Sequence, residues 1–286
     1  MIPSRRGLIL GAGAASLASP VLAQSNDGLI LNGRLVQGGF AMGRTWPRAM
    51  IFVDGEALTT ASADGLFVVG FDRDAPSSVV LEARDRPRTA RRTLSIATGD
   101  FPSTRINGLP QSTVTPGDPA LLARIQREVA LKTEGFASRA DDDDFRSGFV
   151  WPLDSYRVSS RWGSQRVLNG TPARPHYGID LAAPAGSPIR APADGLVTFA
   201  RTGMHFEGGL TLIDHGQGLI TAYLHQSRID VVPNQRIIRG DVIGRVGMSG
   251  RATGPHLCWR MKWRDRNCDP SLMVGQSAPE TGFFSG

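Results

Sequence analysis

The 286-residue chain has only two cysteines, Cys258 and Cys268, and only two lysines, Lys132 and Lys262. Two thiols cannot build a disulfide-stapled scaffold or a four-thiolate zinc site. Positive charge therefore comes from arginine, with Lys+Arg 32 against Asp+Glu 26 and a formal net charge of +6. No block of five or six like charges occurs, which removes the signature of a nucleic-acid-binding tail, and no nucleic-acid partner is expected. Long apolar runs are missing too: none reaches the ~20 residues that a membrane-spanning helix requires. What is present is 41% hydrophobic residues, ample for folded cores, over a length that suggests more than one domain.

The first segment, residues 1–23, has the form of a signal peptide. Arg5 and Arg6 precede an apolar, small-residue stretch, and Val21-Leu22-Ala23 offers a cleavage site. Ser4-Arg5-Arg6-Gly7-Leu8 matches twin-arginine export, although the general secretory route needs only the charge and the apolar run. The expected mature protein is exported and periplasmic, with no transmembrane anchor after cleavage. Residues 27–110 then read as short strands at 29–36, 49–53, 66–71, 78–83 and 92–96, with tight turns at Asp54-Gly55 and Asp64-Gly65. This pattern predicts a small antiparallel β-sandwich. It carries no cluster of metal-ligating or acid–base residues, so its expected role is that of a rigid spacer or a partner-binding module.

Residues 118–148 are expected to form one helix and an acidic linker. Asp118 is placed to cap the helix with Pro119 at its first position; Leu122, Ile125 and Val129 recur at helical spacing, and Gly135 marks the stop. The run Asp141–Asp144 reads as solvated linker, with an acidic lid over a cationic site as the sharper alternative. From 149 to 280 the pattern returns to short β-runs at 195–200, 210–214, 219–224, 241–246 and 256–263 without βαβ alternation, so a mainly β fold with an antiparallel sheet is predicted. The connecting helix is the one helical element in this scheme.

The residues able to do chemistry lie in this second half. His176 and Asp180 are four apart and, if extended, share one face, since side chains alternate with period two. Tyr223-Leu224-His225 ends another run. In Thr253-Gly254-Pro255-His256-Leu257-Cys258 an imidazole and a thiol are two apart, again on one face. His215 sits in an Asp-His-Gly turn and reads as structural, and His205 has no evident partner. Arg161 and Arg166 flank a Trp162-Gly163 turn and are read either as substrate-carboxylate contacts or as solvated loop residues.

Taken together, His176-x-x-x-Asp180, Ala191-Pro-Ala-Asp-Gly195, Asp214-His-Gly216, Tyr223-Leu-His225, the 240–247 segment and Gly254-Pro-His-Leu257 resemble the lysostaphin-type, or LytM-domain, zinc endopeptidases, over residues 149–274. The resemblance implies cleavage of peptide cross-links in peptidoglycan, zinc (Zn2+) ligation by His176 and Asp180, and catalytic histidines at His225 and His256, and it makes a cell-wall or division-protein partner the expectation for the N-terminal module. The family's third ligand is the second histidine of a His-x-His pair; this chain has Cys258 there.

A thiolate is a good zinc ligand, and His176, Asp180 and Cys258 would leave a fourth position for water. Two anionic ligands neutralise the ion, which predicts a weaker Lewis acid and slower hydrolysis or a higher pH optimum than with two histidines. A Cys258–Cys268 disulfide is not expected: a hairpin turn at 264–267 would place Cys268 about five residues, or ~16 Å, along the strand from Cys258, beyond bridging range. The second function carried forward is a LytM-type protein without catalysis that binds the wall or activates cell-wall amidases. Retention of four of the five site residues favours the enzyme.

Overall fold

The computed structural model describes residues 28–280, so the predicted signal segment lies outside the described residues. Seven strands precede residue 96. Ile30–Arg34, Phe40–Arg44 and Leu66–Gly70 form one antiparallel sheet. A second contains Glu56–Thr60, Met50–Val53, Ser78–Asp85 and Arg88–Ser95. Asp54 and Gly55 take φ values of 51° and 84°, the doubly left-handed pair that a type I′ hairpin demands, which explains the residue choice.

The second half is built on an eight-stranded antiparallel sheet. Its order runs Arg236–Ile237, Gly195–Met204, Gly208–Asp214, Leu219–Leu224, His256–Trp263, Ile179–Ala182 and Arg157–Ser160, with Arg266–Cys268 added to His256–Trp263. Pro188–Arg190, Val242–Arg245 and Arg228–Ile229, in that order, form a small antiparallel sheet. The mainly β class is thus as the sequence indicates. Among the strands of the described residues one pair departs from antiparallel: Ser103–Ile106 runs parallel to Gln165–Leu168, tying the segment after the first two sheets to the loop region before His176.

The two halves share one core. A single cluster of buried side chains runs from Leu29 and Phe67 through Trp259 and Trp263 to Met273. All five residues of Leu66–Gly70 are buried, which accounts for its unbroken apolar sequence in place of alternation. Across the seam Asp269 N donates to Gly38 O at 2.7 Å, Asn267 N to Asp72 Oδ2 at 3.0 Å, and Gln217 Nε2 to Leu66 O at 2.9 Å. A free-standing spacer would not be joined in this way.

Helix Pro119–Phe136 begins as expected, with Asp118 Oδ1 accepting from Leu121 N at 2.7 Å. Its packing differs from the sequence expectation. Leu122 and Val129 are 41% and 45% exposed, so the helical apolar spacing does not mark a buried face. The buried positions are Glu128 and Gly135. Glu128 accepts from Arg124 Nε at 2.8 Å and from His205 N at 2.8 Å, and Lys132 pairs with Glu207. Gly135 lies inside the helix: a Cβ there would stand 2.9 Å from Leu212 Cδ1 and 3.0 Å from Phe199 Cβ, so glycine serves close approach to the sheet and not termination.

The acidic run is neither loose linker nor lid. Both Asp141 oxygens face Arg48 Nη1 at 2.6 and 2.7 Å, and Asp142 and Asp144 hold Arg236. It fastens the connecting segment to both halves through partly exposed pairs, each worth little alone.

Gly70 is a close point of the seam, where an added Cβ would meet Cys268 Sγ at 2.5 Å and Trp263 Cβ at 2.9 Å. Both neighbours are buried in the shared core. Gly70→Ala should therefore destabilise the whole chain by about 1–3 kcal/mol, seen in urea unfolding as a lower midpoint with one cooperative transition. Separate transitions for the two halves would show that the shared core does not couple them.

Candidate metal and peptidase site

Strand register assembles the site. In the antiparallel pair of Ile179–Ala182 with His256–Trp263, Asp180 stands opposite Cys258 and Ala182 opposite His256. Directly opposed residues share a face, and so do residues two apart on one strand, so Asp180, His256 and Cys258 face the same way. On the other flank Leu224 stands opposite Cys258. The next residue, His225, takes φ 65°, a left-handed turn uncommon for a residue with a side chain and typical of functional positions. It brings the His225 and His256 rings to a centroid separation of 4.7 Å.

His176 arrives differently from the extended arrangement read in the sequence. It precedes strand Ile179–Ala182, in the loop after Thr171–Pro172. Its Nε2 still lies 3.1 Å from Asp180 Oδ1 and 3.3 Å from Cys258 Sγ. One ligand-type atom from each of His176, Asp180 and Cys258 falls within 4.8 Å of the others, and all three residues are buried. Gly178 makes room: a Cβ there would be 2.8 Å from Cys258 Sγ and 3.2 Å from His176 Nε2.

These residues fit a zinc ion. Asp180 Oδ1 is buried and accepts no hydrogen bond, an arrangement that costs free energy unless a cation faces it. The nitrogen, oxygen and sulfur donors are those zinc takes. Ser160 Oγ lies 3.2 Å from His176 Nδ1, the outer partner that orients a ligating imidazole.

Hydrogen bonds assign the protons of the other two histidines. His225 Nδ1 is 2.8 Å from Ser249 O, and His256 Nδ1 is 2.9 Å from Gly254 O. A carbonyl only accepts, so both rings carry hydrogen on Nδ1 and leave Nε2 free. His256 Nε2 is 3.7 Å from Asp180 Oδ1. Burial, aided by the neighbouring His256, pushes His225 down to about 3, and burial pushes His176 down to about 4; both rings are neutral near pH 7. Burial alone would raise Asp180, but His176 and Arg166 outweigh it and hold the carboxyl well below its usual range. Burial pushes the Cys258 thiol up to about 12.

Two arginines complete the ligand surroundings. Arg166 Nη2 donates to Asp180 Oδ2 at 2.7 Å, and Arg260 Nε to Cys258 Sγ at 3.4 Å. Arg166 is thus no solvated loop residue, whereas Arg161 meets Asp100 in an exposed pair. Arg260 was legible in principle, since it follows Cys258 by two on one strand and so shares its face. The two guanidinium groups would offset the negative charge of a thiolate at Cys258 and of the Asp180 carboxylate, a contribution that the expectation of a weakened metal centre leaves out. Ile106 and Leu109 form part of the wall beside His225, His256 and Asp180, and no local motif announces them.

Of the other histidines, His215 is fully buried: Nδ1 donates to Asp194 O at 2.6 Å, and Nε2 accepts from Thr221 Oγ1 at 2.8 Å. It is structural and stands apart from the ligands. His205 does have a partner, Ser112 O at 3.1 Å from Nε2. Cys268 pairs across from Met261, and both cysteines are free.

A family profile described as Peptidase family M23 matches residues 174–270. A solved structure from Pseudomonas aeruginosa, described as a candidate M23 peptidase, is 30% identical, covering 85% of this chain and 96% of that one with a TM-score of 0.65. Peptidoglycan DD-endopeptidase ShyA of Vibrio cholerae is 39% identical over 118 residues, 41% of this chain and 27% of the relative. DD-carboxypeptidase/endopeptidase Mpg of Neisseria meningitidis is 38% identical over 137 residues, 47% and 31% respectively. The chain thus matches about a quarter to a third of the length of these curated relatives.

Two outcomes follow from this geometry. Gly178→Ala should weaken zinc affinity by roughly tenfold or more by intruding between His176 and Cys258, as read by competition with a chromogenic chelator; unchanged affinity would remove Gly178 from the site. In zinc-stripped protein, His176 and His215 at about 4 and His225 at about 3, against 6.5 when unperturbed, give stability that is fully present above pH 6.5. It is lost as pH falls from 6.5 through about 4 for His176 and His215 and through about 3 for His225, because the unfolded chain takes up the protons first. A melting temperature flat across that interval would contradict the neutral buried rings.

Proposed function

Because the chain belongs to peptidase family M23, we propose that it is a zinc-dependent endopeptidase that hydrolyses peptide cross-links of peptidoglycan in the periplasm. The observation that carries this reading is the convergence of His176, Asp180 and Cys258 within one ligand-sized space, with His225 and His256 side by side at its edge. The names of the relatives ShyA and Mpg support the substrate class. Among the described residues no helix is long and apolar enough to cross a membrane.

In this reading His176 Nε2, Asp180 Oδ1 and Cys258 Sγ hold the metal. When bound, zinc supplies a Lewis acid that polarises the scissile carbonyl and acidifies a water molecule. His225, neutral and fixed by Ser249 O, offers Nε2 as the proton acceptor. His256 Nε2 stands 3.7 Å from Asp180 Oδ1 at the edge of the ligand space, and once that nitrogen has taken up a proton it can donate to the developing oxyanion. Ser160 and Arg166 orient His176 and Asp180 from behind. Arg260 holds the sulfur, and Cys258 must lose its proton when metal binds.

A second reading rests on Arg166 and Arg260. Two guanidinium groups on the carboxylate and the sulfur also supply counter-charge without any metal, as a wall-binding or amidase-activating domain would need.

Metal analysis of purified protein, paired with incubation on isolated sacculi, separates the two. Equimolar zinc and release of muropeptides are expected. His176→Ala and Cys258→Ala should lose zinc and cleavage together, and His225→Ala should keep zinc yet lose cleavage by ~100-fold or more. Zinc-free protein that releases nothing would favour the second reading. Cleavage unaffected by His176→Ala or Cys258→Ala would overturn the site.

A further inference from the structure

Beside His176 lies a cavity of about 380 Å³ whose lining includes Arg166, Arg174, Arg251, Arg260 and Lys262 and no Asp or Glu. Five cations around one small space repel one another, and such a cluster persists only where it serves an anion or is offset nearby. Offsetting is incomplete. Arg166 gives Nη2 to Asp180, while its Nε is buried without a hydrogen-bond partner. The hydrogen bond of Arg260 runs from Nε to Cys258. Arg251 donates to the carbonyl of Thr113 at 3.3 Å and stacks on Phe206, and the Glu207 carboxylate, already paired with Lys132, is the acidic group that acts on it and on Arg260 from outside the cavity lining. Burial and the charges of Arg260 and Arg166 push the Arg251 guanidinium below the ordinary value. Lys262 rests over the Phe136 ring at 5.3 Å.

The strand explains how the cluster arises. Cys258, Arg260 and Lys262 alternate along His256–Trp263 on one face, opposite the buried Leu257, Trp259, Met261 and Trp263. The cationic row therefore starts at the candidate metal ligand and leads away from it, and Arg166 and His176 belong to both the ligand cluster and the cavity.

We propose that this cavity is a substrate subsite that binds free carboxylate groups on one arm of the cross-linked peptide. The inference rests on the endopeptidase reading above and names what that enzyme would recognise. A carboxylate is suited to planar guanidinium donors, which it engages in paired hydrogen bonds. Anchoring one arm next to His176 sets the register in which a peptide carbonyl reaches His225 and His256.

The test uses the intact zinc-loaded protein and a purified cross-linked muropeptide dimer, with its carboxylates either free or converted to amides. The free acid should show kcat/KM about tenfold above the amide, with the difference in KM. Arg174→Gln combined with Lys262→Gln, both outside the ligand and histidine cluster, should bring the free acid down to the amide's value and leave the amide unchanged. Arg174→Gln alone, at an exposed position, should give part of the loss. Equal kcat/KM for acid and amide in the unmodified protein, or discrimination that survives the double substitution, overturns the subsite and leaves the endopeptidase reading intact. If neither dimer is cleaved, the endopeptidase reading fails, and calorimetric titration of the two dimers decides the subsite: tighter binding of the free acid, lost in the double variant, supports it, and equal or absent binding overturns it. Inorganic phosphate that competes against both dimers alike, with no preference for the free acid, marks a general anion site and also overturns it.

Discussion

The antiparallel register between Ile179–Ala182 and His256–Trp263 is the constraint on which the site depends. It puts Asp180 across from Cys258 and sends Asp180, His256, Cys258 and Arg260 to one face. A slip of one residue would turn each of them into the core and bring Leu257 and Trp259 out, so burial of those two side chains holds the chemistry in place. The left-handed His225, at the end of the neighbouring strand, then needs only one turn to stand beside His256.

Charge is the second organising quantity. Buried Asp180 and Cys258 would be costly as bare anions, and burial alone favours their neutral forms. Arg166 and Arg260 stabilise the charged forms from behind, which leaves the inner face of the carboxylate to a cation. The same guanidinium groups face the cationic cavity, so ligand support and the proposed substrate recognition share residues.

The first seven strands matter to this site through stiffness. Leu66–Gly70 is buried on both faces between its own sheet and the strands that carry Trp263 and Cys268. The strand Ser103–Ile106 then pairs in parallel with Gln165–Leu168, and Ile106 and Leu109 wall the space beside the histidines. The segment between the halves is therefore part of the cleft, and the acidic run Asp141–Asp144 holds it through Arg48 and Arg236.

What could be read without coordinates followed from local rules. Turn chemistry at Asp54-Gly55, capping by Asp118, the runs 219–224 and 256–263, and the grouping of His176, Asp180, His225, His256 and Cys258 are signalled by residues close in sequence or by motifs that resemble those of a peptidase family. The exposed Leu122 and Val129, the buried Gly135, the ion-paired acidic run and the single shared core were not legible, because each depends on what a distant segment presents. Residue type and spacing by themselves determined which side chains could ligate or transfer protons. Only the tertiary structure decided which nitrogen of each ring is free, that His215 is spent on Asp194 and Thr221, and that Arg166 and Arg260 back the anionic ligands. Hydrogen-bond direction and electrostatic balance are set by groups brought together across 14 to 80 or more residues of chain, as between Arg166 and Asp180 or His176 and Cys258, and no local pattern encodes them.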